Sequence, residues 1–300
     1  MKRIIIPLVL ALVVLASCQT GKVTTALNQK EAGNIEEALE MINEAVDPAS
    51  EKSEKTIGWP RTWEVRGEIY QSIYQSEDQK VRKLAENPLD EALRSYQKAL
   101  ELDEQDKFSN SVKIKLTLLI NDLTNQAVQA FNDEDYNKAL NSFENILELQ
   151  DIPIMEEDSP GAVDTVIIFN AGLAAFNAEN YDKAIKYYSE AAEYGYNGTR
   201  TYSLLANTYQ LKGDTLGALD ALKEGFEKYP DNNTILTSMI QVYLDLDKTQ
   251  DAMKYLQLAI EQDPTNATYY FALGTLYEKN EQQQEAIEVY EEAIELDNDY

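Results

Sequence analysis

From Thr165 to Tyr300 the apolar and polar positions repeat every 34 residues without gaps, in units that begin at Thr165, Thr199, Asn233 and Ala267. Within each unit the apolar residues recur three and four apart, the spacing that places them on one face of a helix. Two such stretches per unit predict a pair of antiparallel helices joined by a short turn. The first stretch has a position occupied by Gly172, Ala206, Ile240 and Gly274, and the second one occupied by Ala184, Ala218, Ala252 and Ala286. Four residues further on stand Tyr188, Leu222, Leu256 and Tyr290, one turn away on the same face. Small residues let two helix backbones approach, and a large side chain fills the space beside them. This spacing records packing, not chemistry. Pro230 and Pro264 close the second helix of their units, since proline cannot continue a helix interior.

The first half of the chain carries the same second-helix signature more loosely, through Ala38/Ile42/Ala45, Ala92/Tyr96/Ala99 and Ala139/Phe143/Ile146, giving seven candidate units. Trp63 and Ala92 stand 29 positions apart where Tyr270 and Ala286 stand 16 apart, so thirteen residues, ending near Pro88, are inserted in the second unit. A second insertion, 154–164, is acidic with a Pro-Gly break. Both are expected to be loops. The predicted division is 1–17, a leader; 18–58, one divergent unit; 59–164, two divergent units with insertions; and 165–300, four regular units.

The leader is read from a basic head, Met1-Lys2-Arg3, and a thirteen-residue apolar run from Ile4 to Ala16. A bilayer needs about 20 apolar residues to be spanned, so this run suits a signal-peptide core instead. Leu15-Ala16-Ser17-Cys18 resembles the lipobox of bacterial lipoproteins. That resemblance implies a lipid on the Cys18 thiol and cleavage just before it. More than one acyl chain gives stable anchoring. Gln19, where the inner-membrane retention signal is aspartate, implies the outer membrane of the cell envelope, with the periplasmic or the surface face left open.

The last unit resembles the tetratricopeptide repeat at Tyr270, Leu273, Gly274, Tyr277, Ala286, Tyr290 and Ala293. The resemblance implies an all-α solenoid, a right-handed superhelix of helix-turn-helix units, with a concave groove lined by the first helices. The family's groove positions map here onto Val166, Phe169, Leu173 and Phe176; Arg200, Ser203, Asn207 and Gln210; Thr234, Thr237, Gln241 and Leu244; and Thr268, Phe271, Thr275 and Glu278. The subfamily that clamps acidic peptide C-termini needs lysines and asparagines at several of these places. Only Arg200 and Asn207 come near, so that ligand is not implied.

Composition then narrows the chemistry. With 26 Lys+Arg against 53 Asp+Glu the formal net charge is -27, which repels nucleic acid phosphates and anionic headgroups alike. The chain has no histidine and a single cysteine, so Ser-His-Asp, Cys-His and His-based zinc arrangements are excluded. No phosphate-binding glycine motif occurs. Ser95-Tyr96-Gln97-Lys98 matches S-x-x-K without either companion motif, and it overlaps Tyr96, a packing position.

The expected function is that of an envelope-anchored, non-enzymatic adaptor without a cofactor, whose groove binds proteins or peptides. Phe169, Phe176, Arg200, Ser203, Asn207, Thr237, Gln241, Phe271 and Thr275 are its contact residues and Cys18 its lipid site. The alternative is a surface lipoprotein that captures a glycan on the rings of Phe169 and Phe271.

Overall fold

A computed structural model describes residues 21–50, 53–156 and 161–297, and every regular element in them is helical. Cys18 and the leader lie outside the described residues. The chain divides into two units, one ending at Val163 and the next beginning at Asp164.

The first unit holds α1 (residues 21–31), α2 (Ile35–Val46), α3 (Pro60–Gln75), α4 (Gln79–Arg82), α5 (Pro88–Leu102), α6 (Ser109–Asn132), α7 (Tyr136–Gln150) and α8 (Pro153–Glu156). The second holds α9 (Thr165–Asn177), α10 (Tyr181–Glu193), α11 (Thr199–Lys212), α12 (Thr215–Lys228), α13 (Asn233–Asp245), α14 (Thr249–Gln262), α15 (Ala267–Lys279) and α16 (Gln283–Leu296). In the second unit each helix packs on the next, and α11 also touches α13 directly. In the first, α2 packs on α3, α3 on α5, α5 on α6 and α6 on α7. The two insertions are not wholly loop. Each contains a single helical turn, α4 and α8, and α4 is started by Asp78, whose Oδ1 accepts from the Lys80 amide at 2.8 Å.

One backbone device makes every hairpin but that of α3 and α5, where the insertion stands. Within two residues of the end of the first helix the chain takes a left-handed φ, at Glu179 (57°), Gly213 (85°), Asp247 (54°) and Glu281 (60°), positions 34 apart, and again at Gly33 (85°) and Glu134 (62°). The amide after it returns to the helix: Asn180 to Ala175 O, Asp214 to Tyr209 O, Lys248 to Tyr243 O and Gln282 to Tyr277 O, each at 2.8–2.9 Å. This closes otherwise orphaned carbonyls. The second helix is then opened by a side-chain cap where the sequence allows one, as at Asp135, Asn180 and Asp214.

The small and large positions meet as their spacing predicts. A Cβ added to Gly172 would lie 2.8 Å from the Tyr188 ring, and one added to Gly274 would lie 2.5 Å from the Tyr290 ring; Gly67 stands in the same relation to Tyr96. Tyr96 and Tyr188 are fully buried, but their hydroxyls differ. The Tyr96 hydroxyl donates to Gln71 Oε1 at 2.9 Å, whereas that of Tyr188 is buried without a hydrogen-bond partner. A hydroxyl buried without a partner forfeits its hydration and gains nothing in return. Tyr188→Phe is therefore expected to raise stability by about 1 kcal/mol and Tyr96→Phe to lower it by about as much. Urea midpoints of the two variants should move in opposite directions, and a shift of the same sign in both would refute this account.

Candidate functional site

The predicted contact residues fall on the first helices of the regular repeats, α9, α11, α13 and α15, three, four and three apart. That spacing holds each set on one helix face. Arg200, Asn207, Gln210, Gln241, Thr268, Phe271, Thr275 and Glu278 are exposed, and Phe176, Ser203 and Thr237 are half-buried.

Phe169 is the correction. It is 4% exposed and sits among the rings of Tyr188, at 5.7 Å, and Tyr196, at 5.3 Å, with the Arg200 guanidinium 5.7 Å above its ring centre. The physical cause is the turn between α10 and α11. Gly195, Asn197 and Gly198 all take left-handed φ values, and the chain they bend carries Tyr196 against the phenyl ring. Phe169 anchors a helix and offers no platform to a ligand.

Several of the hydroxyls are spoken for locally. Ser203 Oγ donates to Thr199 O at 3.0 Å, Thr237 Oγ1 to Asn233 O at 2.8 Å, and Thr275 Oγ1 to Phe271 O at 3.0 Å. Gln241 Nε2 donates to Asp245 Oδ1 at 2.9 Å. The Asn207 amide makes no bond among the described residues, Gln241 keeps its carbonyl oxygen, and Phe271 is 45% exposed beside Tyr290 at 5.6 Å. The surface can thus donate to and accept from an extended backbone at successive repeats, with one cation at Arg200.

No arrangement for bond-breaking chemistry is assembled from the other singled-out residues. Ser95 is fully buried; its Oγ donates to Glu91 O at 2.6 Å and accepts from Arg66 Nη1 at 2.6 Å, while Lys98 pairs with Glu101 at 2.6 Å. The S-x-x-K spacing is accordingly a packing coincidence. Among the described residues no group of three His, Cys, Asp or Glu side chains is placed to hold a metal ion, and no helix is long and apolar enough to cross a membrane.

The sequence profile described as Tetratricopeptide repeat matches residues 167–194 and 267–300, and a second profile of the same description matches 209–277. The matched residues are tetratricopeptide repeats. Among curated relatives, it is 34% identical over 76 residues to the BBSome complex member BBS4 of Bos taurus, a match covering 25% of this chain and 15% of that protein. It is 27% identical over 142 residues to the TPR repeat-containing protein YpiA of Bacillus subtilis (strain 168), covering 47% of this chain and 34% of that one. The match therefore spans about a third or less of either relative. Solved structures with a similar fold include MamA, at 14% identity, TM-score 0.45, 60% of this chain and 92% of that one. Another is YrrB, described as a TPR protein with an unusual peptide-binding site, at 18% identity, TM-score 0.43, 69% of this chain and 95% of that one.

The repeat period gave no indication of a cleft in the first unit that the tetratricopeptide pattern does not account for. Its one sequence signal was the thirteen-residue insertion, since a segment added between the helices of a repeat can wall off part of a helix face.

Proposed function

We propose that the protein is a non-enzymatic adaptor of the cell envelope, tethered by lipid on Cys18 to the outer membrane, and that it binds an extended peptide of a partner protein along α11, α13 and α15. The observation that supports the peptide reading is the repetition, at one helix position in consecutive repeats, of the exposed side chains Asn207, Gln241 and Thr275. Amides and hydroxyls at a regular repeat suit a ligand whose own donors and acceptors are regular, as a peptide backbone's are. The glycan alternative relied on two rings, and burial leaves it only Phe271.

A photo-crosslinking amino acid placed in the native cell at positions 207, 241 or 275 is expected to trap the same partner from all three, and Asn207→Ala combined with Gln241→Ala to reduce its yield at least tenfold. The same probe at 220, 254 or 288, exposed positions on the second helices, is expected to trap none of it. Equal trapping from both sets would refute groove binding. Cys18→Ser is expected to release the protein from the membrane fraction, and retention of that variant would refute the anchor.

A further inference from the structure

The first unit contains a cleft of about 450 Å³ between the C-terminal end of α3, the 76–87 insertion and the C-terminal half of α6. That volume is in the range of sites that enclose a small ligand or a side chain. Two of its lining residues, Asp122 and Gln126, stand one turn apart on α6.

Asp122 is half-satisfied by design of its neighbours. Its Oδ2 accepts from Gln71 Nε2 at 2.6 Å and from Gln75 Nε2 at 2.8 Å, which fixes the carboxylate, and among the described residues no donor reaches Oδ1. Gln126 is 7% exposed; its Oε1 accepts from Ser142 Oγ at 2.9 Å, and its Nε2 has no acceptor among the described residues. The side chain is largely buried, but its amide donor is left open at the cleft wall to an acceptor supplied by a ligand. The cleft thus presents one anchored acceptor with a negative charge and, one turn along, one anchored neutral donor.

Its other walls agree on the kind of ligand. Ile73, Ala85 and Pro88 supply apolar surface and Tyr74 a ring. Four carboxylates against Arg82 and Lys138 leave the lining at -2, on a chain whose net charge is -27. Burial and the Asp122 charge push the Tyr74 hydroxyl up, which keeps it a neutral hydrogen-bonding group there.

We propose that this cleft receives the lysine or arginine side chain of a bound peptide, its cationic head on Asp122 Oδ1, its stem along Tyr74, and a neighbouring backbone carbonyl accepting from Gln126 Nε2. The site lies in the first unit and is separate from the groove proposed for α11, α13 and α15, so either can fail alone. Recognition of the cation with the carbonyl is what separates a peptide from a free polyamine, which has the head and stem but no acceptor for Gln126.

Isothermal titration of the full chain with an acetylated, amidated alanine pentapeptide carrying a central lysine or arginine tests this. Both peptides are expected to bind, more weakly as salt rises, and the all-alanine and glutamate-centred peptides to give no heat. Asp122→Asn keeps an acceptor for Gln71 and Gln75 and should weaken binding at least tenfold. Ala85→Trp fills the cleft from the insertion without touching that network and should abolish binding, with circular dichroism showing both variants folded. Gln126→Leu should weaken the lysine peptide and leave spermidine unchanged. Absence of binding at millimolar lysine peptide, binding indifferent to Asp122→Asn and Ala85→Trp, or spermidine binding as tightly as the peptide would each overturn the proposal.

Discussion

Arg66→Ala is expected to destabilise the first unit by about 3 kcal/mol, lowering its urea midpoint by about 1–2 M. The guanidinium joins three helices. From α3 it donates to Asn43 Oδ1 of α2 at 3.3 Å, and to Ser95 Oγ at 2.6 Å and Glu91 Oε2 at 2.8 Å on α5. It also stands 4.5 Å over the Tyr70 ring and 5.8 Å over that of Trp63. The side chain is only 13% exposed, so water does not replace these partners readily when it is removed. The chain's two tryptophans, Trp59 and Trp63, both lie in the first unit, so their fluorescence follows that unit alone while circular dichroism follows both. Arg66→Lys places a point charge where a planar fork reaches several acceptors, and should recover less than half of the loss. Arg66→Met restores the stem without the donors and separates packing from hydrogen bonding. Full rescue by lysine, or a midpoint shift below about 0.3 M, would show that the network contributes little.

A second polar cluster, on the opposite face of α3, makes the first unit sensitive to acid. Glu68 is 8% exposed and pairs with Lys30 at 2.8 Å and Lys115 at 3.4 Å. Burial works against its charged form, but the Lys30 hydrogen bond and the charges of Lys30, Lys115 and Arg61 outweigh it and hold its pKa below the usual carboxylate value. Asp103 behaves alike: burial is opposed by the amides of Phe108, Lys107 and Ser109, which bind its carboxylate at the turn from α5 to α6. A depressed pKa contributes stability above the unfolded value, and this is lost as pH falls through the folded one.

The fold was legible where one residue decides one contact. Gly172 with Tyr188, and Gly274 with Tyr290, are sixteen apart and meet because a hairpin of fixed length brings them together. Phe169 was misplaced because the same position carries Ser203, Thr237 and Phe271 in the other repeats, and period alone assigns all four to the surface. What buries it is Tyr196, in a turn whose left-handed residues are particular to that repeat. Arg66, Glu68, Asp122 and Gln126 escaped for a related reason. Their partners lie 16 to 51 residues away in the irregular half, and the insertion that walls the cleft shifts the spacing on which a periodic reading depends.

Base should unfold the protein through its tyrosines. The chain has no histidine, so between about pH 6 and 9 few side chains change charge and stability should be nearly flat. Above that range the buried phenols differ from those of the unfolded chain. Tyr243 is 5% exposed and stacked on Tyr255 at 5.3 Å; burial first, then Tyr255, Asp251 and Asp220, push its pKa up to about 12. Burial raises those of Tyr96, Tyr188, Tyr202 and Tyr269 as well. An unfolded tyrosine releases its proton near pH 10, so beyond that point the unfolded state binds fewer protons than the folded one and stability falls as pH rises. Tyr243 alone costs on the order of 2 kcal/mol of stability by pH 12. Urea midpoints measured from pH 8 to 11.5 should hold level and then drop steeply. Tyrosinate absorbance should show an exposed class near pH 10 and a second class released only with loss of helicity. Tyr243→Phe is expected to move the alkaline limb upward, whereas Tyr194→Phe, at a side chain 52% exposed, leaves it in place. Equal shifts from both, or ionisation of all nineteen tyrosines in one step with helicity intact, would mean that burial does not protect the phenols.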